Sequence, residues 1–261
     1  MNIIDALDDI GITYIEAGNP ASNPKDAELF SRLAGKTVKT SVITAFGSTR
    51  RKDTDVSSDP DMKMLSECSA STVCIFGKSS SYHVRSILQT TCSENLRMIE
   101  QSVSFLKQSG KNVIFDAEHF FDGMKSDPEY AVETLKAAKR GGADIITLCD
   151  TNGGSFPKEI GMFTSKAAAA VSGCVIGIHA HNDMGLAAAC TIAAAEAGAR
   201  MVQGTFIGTG ERTGNANLST LIPILQLRLG YSCIDKDKMQ QLTKTAIKIA
   251  EISNVSLHKN L

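Results

Sequence analysis

The chain has 261 residues, 43% of them hydrophobic and 21% charged, which is enough to bury one large core. A formal net charge of −1 and a pI near 6.5 argue against a protein that holds nucleic acid by electrostatics. No apolar run approaches the ~20 residues of a membrane helix, and the N-terminus lacks the basic and apolar regions of a signal peptide.

In chain order, residues 1–11 read as a short amphipathic helix. Seven β-rich runs follow, at 13–18, 40–47, 72–78, 112–118, 144–151, 175–181 and 201–208. Their starts lie roughly 25 to 40 residues apart, the length of one strand–helix unit. Helical segments lie between them at 23–34, 82–109, 128–141, 157–172 and 186–199, the last three Ala-rich or amphipathic and ending near Gly. Many of the strands are nearly continuous in apolar residues, as strands buried on both faces are. A helix is predicted at 218–229, and 235–253 reads as one more helix outside the sheet.

Repeated units of this kind leave two α/β architectures, a doubly wound sheet or an eight-stranded (β/α)8 TIM barrel. Polar residues end nearly every strand: Glu16, Ser48-Thr49-Arg50, Lys78, Glu118-His119, Asp150-Thr151, His179 with His181, and the segment 208–215. A barrel gathers all its strand ends at one mouth, whereas a doubly wound sheet concentrates them at one switch point. No G-x-G-x-x-G follows the first strand, so the barrel is the expected fold. Only seven strands are legible, and a helix precedes the first. The eighth is therefore expected ahead of Met1, which makes the chain a barrel lacking its first strand. The domain reading is a metal-dependent condensing barrel over 1–232, incomplete at its N-terminus, and the start of a C-terminal linker or subdomain over 233–261.

The run Gly177-Ile178-His179-Ala180-His181-Asn182-Asp183 follows the apolar Val175-Ile176 and has the look of a strand ending. Strand side chains alternate faces, so His179 and His181 project to the same side. Two neutral imidazoles on one face at a strand end are a ready pair of ligands for a divalent metal. The plainer reading is one His in a core hydrogen bond and the other in solvent. Seven cysteines form no C-x-x-C pair and are odd in number, which suits free thiols in a reducing compartment, so a soluble cytosolic domain is expected.

Together these residues resemble the catalytic barrel of the 2-isopropylmalate, homocitrate and citramalate synthase family, metal-dependent Claisen-condensing enzymes. The most specific segments are Gly177 to Asp183 and Gly208-Thr209-Gly210-Glu211-Arg212-Thr213-Gly214-Asn215-Ala216-Asn217-Leu218. Phe46-Gly47-Ser48-Thr49-Arg50-Arg51-Lys52, Phe115-Asp116-Ala117-Glu118-His119-Phe120-Phe121-Asp122-Gly123 and Cys149-Asp150-Thr151-Asn152-Gly153-Gly154 resemble the citramalate synthase branch more than the isopropylmalate branch.

The resemblance implies an acyltransferase that condenses acetyl-CoA with a 2-oxo acid, pyruvate in the citramalate branch, to give (R)-citramalate on the route to isoleucine. It implies a divalent cation (Mg, Mn or Zn) on His179, His181 and Asn215, although Thr213-Gly214-Asn215 is also a strong turn signal by itself. Glu118 is implied near the acetyl group, orienting substrate or moving protons, and Thr151 as a hydrogen-bond donor to the oxo acid; a salt-bridged rim carboxylate and a turn-stabilising threonine are the plain alternatives. Glu16, comparable in position, is expected to support substrate binding. Arg50, with Arg51 and Lys52, is expected to meet coenzyme A phosphates or else to be a solvated basic triplet. A homodimer is implied for the complete protein.

The family's first strand, with an Arg and a metal-binding Asp, has no counterpart here, and His258 does not match the segment that carries the family's candidate base. The isolated chain is therefore expected to lack condensing activity and to bind metal weakly. Rival readings are a 2-isopropylmalate synthase, a hydroxymethylglutaryl-CoA lyase-like enzyme and a non-catalytic remnant. The lyases carry a catalytic Cys in a Gly-rich loop, and the loop Gly210-Glu211-Arg212-Thr213-Gly214 has none.

Overall fold

Prolines preceded by a short acceptor side chain set several helix starts in this chain. Asn23, Asp59 and Asp127 each stand before a Pro; their side chains accept from Asp26 N (3.0 Å), Asp61 N (2.9 Å) and Tyr130 N (3.3 Å) respectively. The proline fits there because the first helical N–H has no intrahelical partner to lose, and such a cap is worth about 1 kcal/mol.

A computed structural model describes residues 1–257, so His258 lies outside the described residues. Its strands are β1 (Tyr14–Gly18), β2 (Val42–Ser48), β3 (Thr72–Lys78), β4 (Asn112–Glu118), β5 (Ile145–Asp150), β6 (Val175–Ala180) and β7 (Met201–Gln203). They pair in parallel and in chain order. The helices are α1 (Asn2–Ile10), α2 (Pro24–Leu33), α3 (Pro60–Glu67), α4 (Ser81–Ser86), α5 (Cys92–Gln108), α6 (Phe120–Ser126), α7 (Pro128–Gly141), α8 (Pro157–Ala170), α9 (Ala187–Glu196), α10 (Leu218–Pro223) and α11 (Leu242–Ser253).

Parallel neighbours require crossover helices, and these cover the outer face of the sheet. Outward residues such as Val73, Ile75, Phe115, Ile146 and Ile178 join Leu65, Ile99, Leu106, Leu135 and Ile160 of the helices in the main core. The alternate residues Cys74, Ile114 and Ile145 form a separate small cluster on the inner side with Phe46 and Met201. Strand alternation thus gives the sheet an inside and an outside, and the functional side chains are on the inside.

The sheet does not close. β1 pairs only with β2 and β7 only with β6, so the strands curl into a barrel short of one strand, with two unpaired edges. Between the edges lies a cleft of about 920 Å³, bounded by Tyr14, Ile15 and Glu16 on one side and Met201, Val202 and Gln203 on the other. Helices α1 and α11 pack on each other beside it, where Ala6, Ile10, Phe206, Ile222, Leu242 and Ile249 make a second apolar cluster. The residues after 232 therefore pack against the barrel's first helix: Ile234, Leu242 and Ile249 are all buried there.

Several boundaries differ from the sequence expectation. The helix expected at 82–109 is two, because Gln89 takes a left-handed φ of 52° and Thr91 caps a fresh start at Glu94 N (3.1 Å). The strand expected at 201–208 stops at Gln203, and Thr205 bridges to Asn217 instead. The helix expected at 218–229 passes into a π-helical turn over Ile224–Arg228 after Pro223, and 235–253 opens with a 3₁₀ turn over Lys236–Gln241 before α11. Helices α3 and α6 have no counterpart in the sequence expectation. Among the described residues no helix is long and apolar enough to cross a membrane, and all seven cysteines are free thiols.

Candidate active site

β6 ends at Ala180, and alternation places His179 and His181 on the inner face with ring centroids 4.9 Å apart. Burial pushes His179 down to about 4, with His181 adding to the effect; His181 is lowered by burial first and by Arg212 second. Both imidazoles are therefore neutral near pH 7, as metal ligands must be.

Asn215 reaches the same place by a backbone route. The loop after β7 folds back on the end of β6: His181 and Asn215 form an antiparallel bridge, Asn182 N donates to Gly214 O (2.9 Å), and Ala216 N donates to Ala180 O (3.0 Å). The turn needs glycine at Gly214, where φ is 104° and an added Cβ would lie 2.1 Å from Gly208 O. Gly210 also serves the turn, since a Cβ there would lie 2.7 Å from the Asn215 side chain. These glycines let the loop approach itself.

Arg212, left without a role by the sequence reading, holds this corner together. Its Nε donates to Asp183 Oδ1 (2.7 Å), and its Nη2 to Asp183 Oδ2 (2.8 Å) and Thr151 O (2.8 Å). The same Nη2 lies 3.1 Å from His181 Nδ1; a guanidinium only donates, so in this arrangement Nδ1 accepts and Nε2 carries the ring proton, and a metal on His181 would take the Nδ1 lone pair from Arg212 or require the other tautomer. The signal was present in the Glu-Arg of the glycine loop and the Asp after H-x-H, but their pairing depends on the fold.

Across the mouth, Glu118 at the end of β4 forms an ion pair with Lys78 of β3 at 2.5 Å, the side chains being 21% and 15% exposed. Thr151 follows β5; its Oγ1 accepts from His119 N (2.8 Å), so the hydroxyl proton remains to donate elsewhere. His119 sits at a left-handed φ of 59°, bonded through Nδ1 to Asp122 (2.9 Å), with its ring centroid 3.8 Å from that of His83. Glu16 faces the cleft, where solvent reaches it; the surrounding protein and the charge of Asp116 still push its carboxyl up to about 7. Asp116 is 6% exposed and is raised to about 6 by burial, against hydrogen bonds that include Gln203 Nε2 at 2.9 Å.

Arg50 is engaged with the protein itself. Its side chain is 5% exposed and is committed to α5, pairing with Glu94 at 2.8 Å and donating from Nε to Gln101 (2.8 Å) and from Nη1 to Arg51 O (2.9 Å). With three of its five donors engaged and its side chain almost fully buried, Arg50 offers little to a phosphate in this arrangement. Arg51 and Lys52 are exposed, but Arg51 pairs with Asp61 and Lys52 donates to Gln89 O. The structure thus brings His179, His181 and Asn215 into one group, sets Glu118, Thr151 and Glu16 on the same inner surface, and pairs Arg50 with α5.

The HMGL-like family model matches residues 1–256. The chain belongs to this family. It is similar to the (R)-citramalate synthase of Aquifex aeolicus, at 49% identity over 261 residues, covering 100% of this chain and 49% of that protein. It is also similar to the (R)-citramalate synthase of Synechocystis sp., at 44% identity, covering 98% of this chain and 48% of that protein. The chain spans about half the length of these curated relatives. An HMG-CoA lyase structure from Bacillus subtilis superposes with a TM-score of 0.78 over 99% of this chain and 88% of that one. At 21% identity that likeness is one of fold.

The donor set of this HMGL-like barrel fits a divalent cation. His179 Nδ1 and Asn215 Oδ1 are both buried without a hydrogen-bond partner, an arrangement that costs free energy unless a ligand satisfies them. Two imidazole nitrogens and an amide oxygen form a neutral set. Among the described residues no group of three or more His, Cys, Asp or Glu side chains is placed to hold a metal.

Proposed function

We propose that this chain is the catalytic barrel of an acyltransferase that condenses acetyl-CoA with pyruvate to give (R)-citramalate. The observation that carries the reading is the pair of orphaned buried atoms, His179 Nδ1 and Asn215 Oδ1, beside His181 at the strand-end mouth. The kinship with (R)-citramalate synthases supports the choice of substrates. His179, His181 and Asn215 would hold a divalent cation, which supplies Lewis acidity toward the ketone of the oxo acid.

The chain's own side chains do the rest. Thr151 donates its free hydroxyl proton to the oxo acid's carboxylate. Glu118, partly buried beside Lys78, is the carboxylate that accepts a proton from the thioester methyl. Glu16 lines the cleft below and holds its proton near neutrality. Arg212 fixes His181 and the Thr151 carbonyl in one frame, so that the two sides of the site keep their spacing.

The test is release of free coenzyme A thiol from acetyl-CoA by the protein extended to the full length of its curated relatives. Pyruvate and 2-oxoisovalerate are offered separately. A higher kcat/KM for pyruvate is expected. Preference for 2-oxoisovalerate would make it a 2-isopropylmalate synthase, and cleavage of the hydroxymethylglutaryl thioester without condensation would make it a lyase.

A further inference from the structure

Lys78 and Glu118 are register partners at the ends of β3 and β4, and both point into the barrel. Burying two opposite charges costs more desolvation than their attraction returns, unless the remaining donors and lone pairs are also satisfied. Here they are not. An ammonium has three donors, yet Glu118 is the one polar partner of Lys78 Nζ among the described residues. The contact is not aligned as a hydrogen bond, and Glu118 Oε2 is buried without a hydrogen-bond partner. Neighbouring cations are committed elsewhere, Arg212 to Asp183 and Arg50 to Glu94. Lys78 alone among them has a mouth carboxylate for its partner and donors left over.

We propose that Lys78 is the cationic partner of the substrate carboxylate at the mouth, alongside the Thr151 hydroxyl. The carboxylate of a small 2-oxo acid takes the ammonium's spare donors and loosens its grip on Glu118, which is then free to accept a proton. The inference rests on the condensation reading above. In that step Glu118 removes a proton from the thioester methyl, and the C–H electron pair forms the new bond to the ketone carbon. The ketone π pair moves to oxygen, and the resulting alkoxide takes the proton back from Glu118. Water then cleaves the thioester to a carboxylate and the free thiol. Substrate arrival and base release become one event.

Isothermal titration of the 261-residue chain with pyruvate alone tests the site without turnover. Lys78→Met should weaken binding by about 10- to 100-fold, the worth of a hydrogen bond to a charged group. Lys78→Arg should retain binding, and methyl pyruvate, which lacks the charge, should bind wild type and Lys78→Met alike. Glu118→Gln should tighten pyruvate binding, because it removes the internal competitor; a merely structural pair gives no such gain. The neutral double variant Lys78→Met/Glu118→Gln guards against unfolding of the single variants and should bind as weakly as Lys78→Met. No binding to wild type, unchanged affinity in Lys78→Met, or weaker binding in Glu118→Gln would each overturn the proposal. If binding follows the expected pattern but the extended protein releases no coenzyme A, the Lys78 site stands and the condensation reading falls.

Discussion

Asp116→Asn isolates the electrostatic strain inside the barrel. Asp116 is almost fully buried, and its carboxyl is raised from 3.8 to about 6. A raised carboxyl means that the folded chain holds the proton more tightly than the unfolded chain. The folded state therefore carries no penalty below pH 3.8; the penalty grows between 3.8 and 6 and is complete above 6. At about 1.4 kcal/mol for each pH unit, it comes to about 1 kcal/mol at pH 4.5 and about 3 kcal/mol at pH 8. Asparagine has no such penalty, although it rearranges the bond to Gln203 Nε2, a cost common to both conditions. Urea unfolding of variant and parent at the two pH values should show the variant's relative stability rising by about 2 kcal/mol from pH 4.5 to pH 8. Added Mn²⁺ should shrink that rise, because a cation on the nearby imidazoles stabilises the carboxylate. An identical difference at both pH values, or a variant that loses ground at pH 8, would refute the assignment of Asp116 as a strained buried charge.

Three further outcomes are expected. His179→Ala should weaken Mn²⁺ binding, followed by titration calorimetry, by more than about 100-fold, beyond the range of residues that only orient a ligand. Arg50→Ala should destabilise the fold by about 1 to 2 kcal/mol in urea, because Glu94 loses Arg50 but keeps Arg97, while the KM for acetyl-CoA in the extended protein stays within about twofold; a large KM change would restore Arg50 to the coenzyme site. Gly214→Ala, at φ 104° with Gly208 O in the way, should cost at least about 2 kcal/mol and lower Mn²⁺ affinity with it; an undisturbed variant would mean that the loop is not held in this turn.

The parts of the site legible in the sequence are those fixed by local geometry. The two-residue alternation of a strand is enough to set His179 and His181 on one face, and the polar strand ends point to a common mouth. The commitment of Arg50 to α5 was not legible, because a basic triplet carries no sign that Glu94 and Gln101 will meet it. The Lys78–Glu118 pair was invisible as a pair, since it depends on the register of β3 against β4. The early end of β7 also lies outside local pattern: 201–208 has strand-like composition, but Thr205 finds its partner in Asn217, beyond the loop. The break between α4 and α5 rests on Gln89 adopting a conformation that its residue type rarely takes.

The open seam between β1 and β7 lies on one side of the molecule, and the proposed metal ligands are tied together on their own terms. His179 and His181 sit on one strand, and Asn215 is latched to that strand by the bonds Asn182 N to Gly214 O and Ala216 N to Ala180 O. The distance between these ligands is thus set within a single β-hairpin-like unit and does not pass through the seam. Glu16 and Gln203 line the seam from opposite edges, whereas the bite of the ligand set rests on these local bonds. The ligand set is held by bonds of its own, so hydrogen exchange should find Asn182 and Ala216 protected even while the amides along the β1 edge open.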